Sequence, residues 1–164
     1  MRIKTILGLF IAILLGVMLI PTAGNAITVS PPLIELDANK GDVINQSLKV
    51  RNEAETNVTY YLSAERFVAA GESGAAAFKG EDVGLATWVD FGGLKSITIP
   101  AGQTVEVPFT INVPNYAGPG GHYAAVFLSS LPPDKTQGSG VAIASKIGTL
   151  LLVRIAGDIN EGAD

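Results

Sequence analysis

The 164-residue sequence predicts an all-β fold, an immunoglobulin-like antiparallel β-sandwich of about seven strands preceded by a signal peptide. Two observations support this prediction. Segments in which apolar and polar residues alternate recur along the chain, and short polar connections with glycine or proline separate them. The N-terminal segment instead combines basic residues with an apolar run, and no convincing helical pattern follows it.

The N-terminus has the three parts of a secretion signal. Arg2 and Lys4 form a basic region, Ile6–Ile20 is an uncharged apolar run, and Gly24–Ala26 offers small residues for cleavage. An uncleaved membrane anchor is the alternative, but the run is shorter than the roughly 20 residues that a spanning helix needs. A proline directly after the run also interrupts a helix. We therefore assign residues 1–26 to a cleaved signal peptide.

The composition excludes several classes of site and partner. The chain has no cysteine, so no disulfide, thiol nucleophile, thiolate metal site or acylated lipoprotein cysteine is available. Without the signal peptide, nine basic and fifteen acidic residues remain. This acidic balance argues against nucleic acid as a partner. We expect an extracytoplasmic location (cell surface, cell wall or periplasm), with membrane contact only through the signal peptide or a missing C-terminal anchor.

The first three strands follow the signal peptide. Ile27–Leu36 is interrupted by Pro31-Pro32, which predicts an edge position and a kink, often with a switch from one sheet to the other. Val43–Asn52 shows apolar and polar residues in alternation, and a polar turn follows it. Val58–Val68 alternates as well, so Tyr61 points away from the apolar face of this strand.

Four further strands complete the expected sandwich. Ser96–Ile99 is short, and Thr104–Val113 places an apolar residue at every odd-numbered position. Pro108 lies on the other face of that strand and lacks an N–H group, which predicts that one side of the strand is locally unpaired. Tyr123–Leu131 and Lys146–Ala156 are apolar runs. The last is nearly all apolar, which predicts a central strand buried on both faces or covered by a further segment.

Two long loops interrupt the strands, and long loops on a rigid sandwich are where binding residues usually lie. Residues 69–86 form the first loop, with a helical turn near Val83–Trp88, and residues 132–140 form the second. The sandwich is thus expected over residues 27–157. Residues 158–164 are either the C-terminal tail of a complete chain or the start of a linker in a longer protein, and the second alternative is favoured.

The sequence contains little that points to catalysis. His122 is the one histidine, and a catalytic base would need a nucleophile and an orienting carboxylate, for which no motif is present. One histidine also provides too few ligands for a typical zinc site. Glu81 and Asp82 are adjacent but lack the ligand spacing of a calcium loop. We expect no enzyme activity, no cofactor and no metal.

Aromatic side chains are better candidates for binding, because they stack on sugar rings or fill pockets on a partner. The candidate binding residues are Trp88, Tyr61 and Tyr116, together with His122 beside a glycine turn. For Trp88 the alternative is a core residue that closes one end of the sandwich, and this alternative is favoured.

Several short segments occur together in an order that points to known families. They are Val29–Leu36, Lys40–Asp42, Leu48–Asn52, Ile99–Gln103, Val113-Pro114 and Pro119–Tyr123. Their order resembles the N-terminal immunoglobulin-like domain of bacterial WxL-interacting cell-surface proteins, and this resemblance implies peptidoglycan binding. More distantly it resembles the first domain of periplasmic pilus chaperones, which share the sandwich and the proline-kinked first strand. No position here matches the basic pair with which pilus chaperones hold a subunit carboxylate.

We therefore expect a non-enzymatic binding module at the bacterial cell surface, with peptidoglycan or another surface or secreted protein as its partner. The alternative is a periplasmic chaperone or assembly factor that acts by β-strand addition. In that case Ile27–Leu36 or Lys146–Ala156 would offer the open edge. Covered edges on both strands would argue against the alternative.

Overall fold

A computed structural model describes four parts of the chain: residues 26–70, 75–78, 83–132 and 145–157. The predicted signal peptide up to residue 25, the predicted tail from residue 158, the Glu81-Asp82 pair and most of the second long loop lie outside the described residues. Among the described residues, no helix is long and apolar enough to cross a membrane.

The described residues form ten strands and one helical turn. In chain order these are β1 (Ile27–Ser30), β2 (Leu33–Ala38), β3 (Val43–Asn52), β4 (Val58–Ala70), β5 (Ala75–Phe78), α1 (Leu85–Trp88), β6 (Val89–Asp90), β7 (Ser96–Ile99), β8 (Thr104–Asn112), β9 (Gly120–Ser129) and β10 (Lys146–Ile155). All seven predicted strands are present. The number rises to ten because the first predicted strand is two strands, because β5 is a short addition from the first long loop, and because β6 is a two-residue strand directly after α1.

The strands form two sheets that pack as a sandwich. Sheet I has the order β1-β3-β8-β6, and sheet II has the order β2-β10-β9-β4, in which β7 and β5 pair with the first and last parts of β4. Every described pair is antiparallel except β2 with β10, which run parallel. The predicted immunoglobulin-like sandwich is therefore confirmed, with one mixed sheet.

The two prolines mark the point at which the chain crosses between sheets, as predicted. β1 pairs with β3 in sheet I, whereas β2 pairs with β10 in sheet II. The buried Thr149 hydroxyl donates a hydrogen bond of 2.7 Å to the Pro31 carbonyl. The Leu150 N–H donates one of 3.0 Å to the Pro32 carbonyl. These bonds fix the crossing against β10 and satisfy both proline carbonyls.

The core lies between the sheets and is built from alternate residues of each long strand. Its largest fully buried apolar side chains are Leu48, Leu85, Ile99, Ile111, Leu128, Leu151 and Ile155. The alternation predicted for β4 is confirmed: Tyr60 and Leu62 are buried, whereas Tyr61 lies on the opposite face. Burial raises the pKa of the Tyr60 phenol above its usual value.

One polar side chain is fully buried at the end of β3. The Asn52 amide donates to the carbonyls of Thr56, Ile99 and Pro100 at 2.8, 3.0 and 3.2 Å, and its oxygen accepts from the Ala54 N–H at 3.0 Å. A single side chain therefore links the β3–β4 turn to the β7–β8 turn, and the buried amide is fully hydrogen-bonded.

The prediction of full burial for the last strand is wrong. β10 is central, between β9 and β2, but only its alternate residues are buried. Leu150 and Leu152 lie half-buried on the outer face of sheet II, where no described segment covers them. Leu150 is paired in register with Leu33 of β2, so these two apolar residues lie side by side on the outer face.

Candidate binding site

Trp88 and His122 lie together at the end of the sandwich where β9 begins. Trp88 is the last residue of α1 and belongs to the core, with 7% of its surface exposed. Its ring centroid is 4.6 Å from that of His122, and His122 Nε2 lies 2.9 Å from the Gly118 carbonyl oxygen. The two rings pack on each other and close this end of the core.

The two tyrosines lie elsewhere. Tyr116 is 86% exposed in the β8–β9 connection. Tyr61 is half-buried on the outer face of sheet II, opposite Ser129. Ser129, the neighbour of Tyr61, and His122 are at opposite ends of β9, so about 23 Å of strand separates Tyr61 from His122. The structure therefore does not join the four candidates into one site. Within the described residues, no three histidine, aspartate or glutamate side chains group closely enough to hold a metal ion.

The outer face of sheet II carries a row of four aromatic rings that residue type alone did not single out. Phe127, Phe78, Phe67 and Tyr123 contact one another in that order, with centroids 4.9, 5.9 and 5.8 Å apart. Phe78 and Tyr123 are 43% and 46% exposed. The sequence of β9 indicates part of this row, because Tyr123 and Phe127 are an even number of residues apart and therefore share a face of the strand.

Two glycines allow rings of this aromatic row to lie close to the sheet. A Cβ atom at Gly148 would lie 2.5 Å from the Phe127 ring, and one at Gly121 would lie 2.4 Å from the Tyr123 hydroxyl. The Phe127 ring also lies beneath the ammonium group of Lys146, 4.1 Å from its centroid. The close approach to Gly148 and the contact with Lys146 both restrain the position of this ring.

A groove of about 390 Å³ lies on the outer face between Tyr123 and the edge of sheet II. Leu152 forms part of its floor, and Glu35 and the Arg154–Asp37 ion pair line it, with Arg154 Nε 2.6 Å from the carboxylate oxygen. The hydrogen bond and the charge of Asp37 raise the pKa of Arg154. Glu35 has no ion-pair partner among the described residues.

The edge of sheet II at β2 is open. β2 pairs with β10 on one side and with no described strand on the other. The carbonyls of Pro32 and Ala38 both accept hydrogen bonds from the β10 segment, each of 3.0 Å. In an extended strand successive residues direct their backbone groups to alternate sides. The N–H and C=O groups of Leu33, Glu35 and Asp37 therefore point to the open edge.

The other strand predicted as an edge, β10, is covered by β9 and β2. On sheet I, β1 is an edge strand. The Glu53 N–H donates to the Ala26 carbonyl, so by the same alternation only two residues of β1, Ile27 and Val29, direct their backbone groups away from β3. Beyond β6, that side of β8 pairs with no described strand. Pro108 lies on this side, because the odd-numbered residues of β8 bond to β3. The predicted local gap is confirmed, and the proline weakens this edge for further pairing.

The chain matches no protein-family model, and no curated protein matches it. Solved structures do share its fold. PapD-like domain 7 of human CEP192 has a TM-score of 0.54 at 14% identity, over 86% of this chain and 92% of that one. The class 5 fimbriae chaperone CfaA has a TM-score of 0.55 at 10% identity, over 82% of this chain and 59% of that one.

A third similar structure is the CsuC–CsuE chaperone–tip subunit pre-assembly complex of Acinetobacter baumannii, with a TM-score of 0.53 at 14% identity, over 85% of this chain and 61% of that one. The chain thus spans about three fifths of the length of these fimbrial chains. The fold is that of a PapD-like, immunoglobulin-like sandwich. The comparisons support the resemblance to pilus chaperones at the level of fold and give no support to the WxL-interacting family.

Proposed function

We propose that this protein is an exported, non-enzymatic binding module that assists the assembly of another protein by accepting an extended segment of it at β2. The observation that carries the proposal is the edge at β2, where Leu33, Glu35 and Asp37 present backbone groups that pair with no described strand. Addition of a strand to an exposed sheet edge is an established mode of protein recognition. The similarity of the fold to fimbrial chaperones supports the proposal, and the predicted signal peptide favours an extracytoplasmic location.

An estimate of the binding free energy at this edge indicates which contacts provide the affinity. Three residues offer about six backbone hydrogen bonds, and each adds about 1 kcal/mol net. Association costs about 4–15 kcal/mol in lost translational and rotational freedom. The backbone bonds therefore roughly offset that loss, and side-chain contacts must supply the affinity.

A proline at the open edge tests the proposal. Glu35→Pro removes an N–H that faces the edge and leaves the bonds to β10 in place. Glu106→Pro is the matched control, because Glu106 is exposed and its N–H faces the open side of β8 in the same way. The probe is a nine-residue synthetic peptide of alternating valine and threonine, added to the purified protein while amide hydrogen exchange is followed by NMR.

We expect the peptide to protect the amides of Leu33, Glu35 and Asp37 from exchange. Glu35→Pro should weaken binding at least tenfold, whereas Glu106→Pro should bind as the unaltered protein does. Absence of protection at all three amides, or equal binding by the two proline variants, would overturn the proposal.

A second candidate function is binding of cell-wall polymer, here peptidoglycan, and the groove beside Tyr123 favours it. An exposed tyrosine ring close to the sheet, with carboxylates and a guanidinium alongside, suits a sugar ring and its hydroxyl groups. Sedimentation with purified peptidoglycan tests this candidate. Retention should be lost in Tyr123→Ala and kept in Tyr116→Ala, whose ring is exposed but lies outside the groove. A protein that stays in the supernatant would eliminate it.

A further inference from the structure

The residues of β2 that face the open edge also place their side chains on the outer face of sheet II. Leu33, Glu35 and Asp37 are paired in register with Leu150, Leu152 and Arg154, all of which lie on that face. Leu33 is 42% exposed, and the two carboxylates are exposed. Since directly opposed residues of paired strands share a face, partner residues opposite Glu35 and Asp37 would lie beside negative charge.

The residues between these positions face the opposite way, toward the space between the two sheet edges. Leu36 lies there, partly buried against the core. Ile27 and Val29 of β1 are also partly buried against the core, at the corresponding edge of sheet I. We call these three residues the apolar seam. A strand added to β2 would direct every second side chain toward the apolar seam, where an apolar side chain would lose its contact with water.

A second copy of this chain is a poor occupant of the same edge. Antiparallel pairing of two β2 strands about Glu35 would place the two Glu35 carboxylates opposite each other, and like charges in that position are destabilising. Charged residues on edge strands commonly prevent self-pairing in this way. The charge that disfavours a second copy favours a positively charged partner.

We propose, building on the function proposed above, that the segment accepted at β2 alternates apolar residues with lysine or arginine. The apolar residues face the apolar seam, and the basic residues lie beside Glu35 and Asp37 on the outer face. Because Asp37 already pairs with Arg154, Glu35 provides the larger part of the selectivity.

Four nine-residue peptides test this inference on the purified protein: alternating valine and lysine, alternating valine and glutamate, alternating valine and threonine, and a valine–lysine peptide of the same composition in blocks. We expect the alternating valine–lysine peptide to bind at least tenfold more tightly than the valine–glutamate peptide by calorimetry at low salt. The difference should shrink in 1 M salt, where exposed charges are screened over about 3 Å. Glu35→Lys should reverse the preference, and Glu35→Gln should abolish most of it.

Equal binding of the valine–lysine and valine–glutamate peptides would overturn the inference, as would a preference that Glu35→Lys leaves unchanged. Tight binding of the block peptide would also overturn it, because the attraction would then not depend on a strand pattern. If the charge preference fails in one of these ways but the valine–threonine peptide still binds and Glu35→Pro prevents this, the edge remains a binding site and only the charge inference is overturned. If no peptide protects the β2 amides, both proposals fail.

Discussion

Substitution of proline at two neighbouring positions of β2 should affect stability to very different extents, and this contrast tests the orientation of the edge. The even-numbered Leu36 directs its N–H to β10, whereas the odd-numbered Glu35 directs its N–H to the open side. Leu36→Pro therefore breaks a ladder bond and leaves an acceptor on β10 without its donor. Glu35→Pro breaks no bond within the sheet.

The magnitude follows from the groups involved. Loss of one net hydrogen bond costs about 1 kcal/mol, and an acceptor left unsatisfied costs about 1–3 kcal/mol more. Leu36→Pro also loses a partly buried side chain, so Leu36→Ala is the reference that isolates the backbone effect. We expect Leu36→Pro to lower the free energy of unfolding by about 3 kcal/mol relative to Leu36→Ala. Glu35→Pro should lower it by about 1 kcal/mol or less.

Urea unfolding followed by fluorescence provides the measurement. The chain has one tryptophan, Trp88, which is buried in the core, so its emission reports loss of the sandwich. With a domain of this size, about 3 kcal/mol corresponds to a fall in Tm of roughly 10 °C. If Glu35→Pro destabilises the protein as much as Leu36→Pro does, the edge at β2 does not have the orientation described, and the proposed function loses its basis.

Three further predictions concern the scaffold. Asn52→Ala leaves buried groups of the β3–β4 and β7–β8 turns without partners and should lower the free energy of unfolding by about 3 kcal/mol or more. The exposed control Asn45→Ala should lower it by about 0.5 kcal/mol or less, and urea unfolding measures both values. Gly148→Ala places a Cβ atom 2.5 Å from a neighbouring aromatic ring and should lower Tm by several degrees, whereas Gly118→Ala, which meets open space, should leave Tm unchanged. Burial raises the pKa of Tyr60 above 10.0, so the unfolded chain loses this proton first and stability should fall as pH rises above about 10. Tyr60→Phe should reduce that alkaline loss in a pH series of thermal melts, and an identical loss in the variant would contradict the reasoning.

Much of the fold could be predicted from the sequence, because the evidence for it is local. Alternation gave the bounds of Val43–Asn52 as the structure has them, and the short strand Ser96–Ile99, which ends before a proline, also has the predicted bounds. Pro31-Pro32 indicated the crossing between sheets, since residues without an N–H group cannot continue a paired strand there. Pro108 indicated the open side of β8 for the same reason.

The candidate site was predicted less well. Residue type alone makes Trp88 and His122 candidates, and the structure places them against each other at the end of the core. Tyr123 belongs to an apolar run that the sequence pattern does not distinguish from core residues, although its ring is 46% exposed beside the groove. Periodicity shows which residues of a strand share a face, but it does not show which of the two faces meets the core when both are apolar.

By itself, the sequence determined that this chain carries an export signal pattern, folds as a sandwich without disulfides, and kinks its first strand at two prolines. Only the tertiary structure decided that β10 is covered on both sides and that β2 has no described strand on its other side, with Glu35 and Asp37 beside the backbone groups that face that side. The physical reason is that strand order arises from contacts between segments more than 100 residues apart, such as Thr149 with Pro31. Local periodicity contains no record of such pairs.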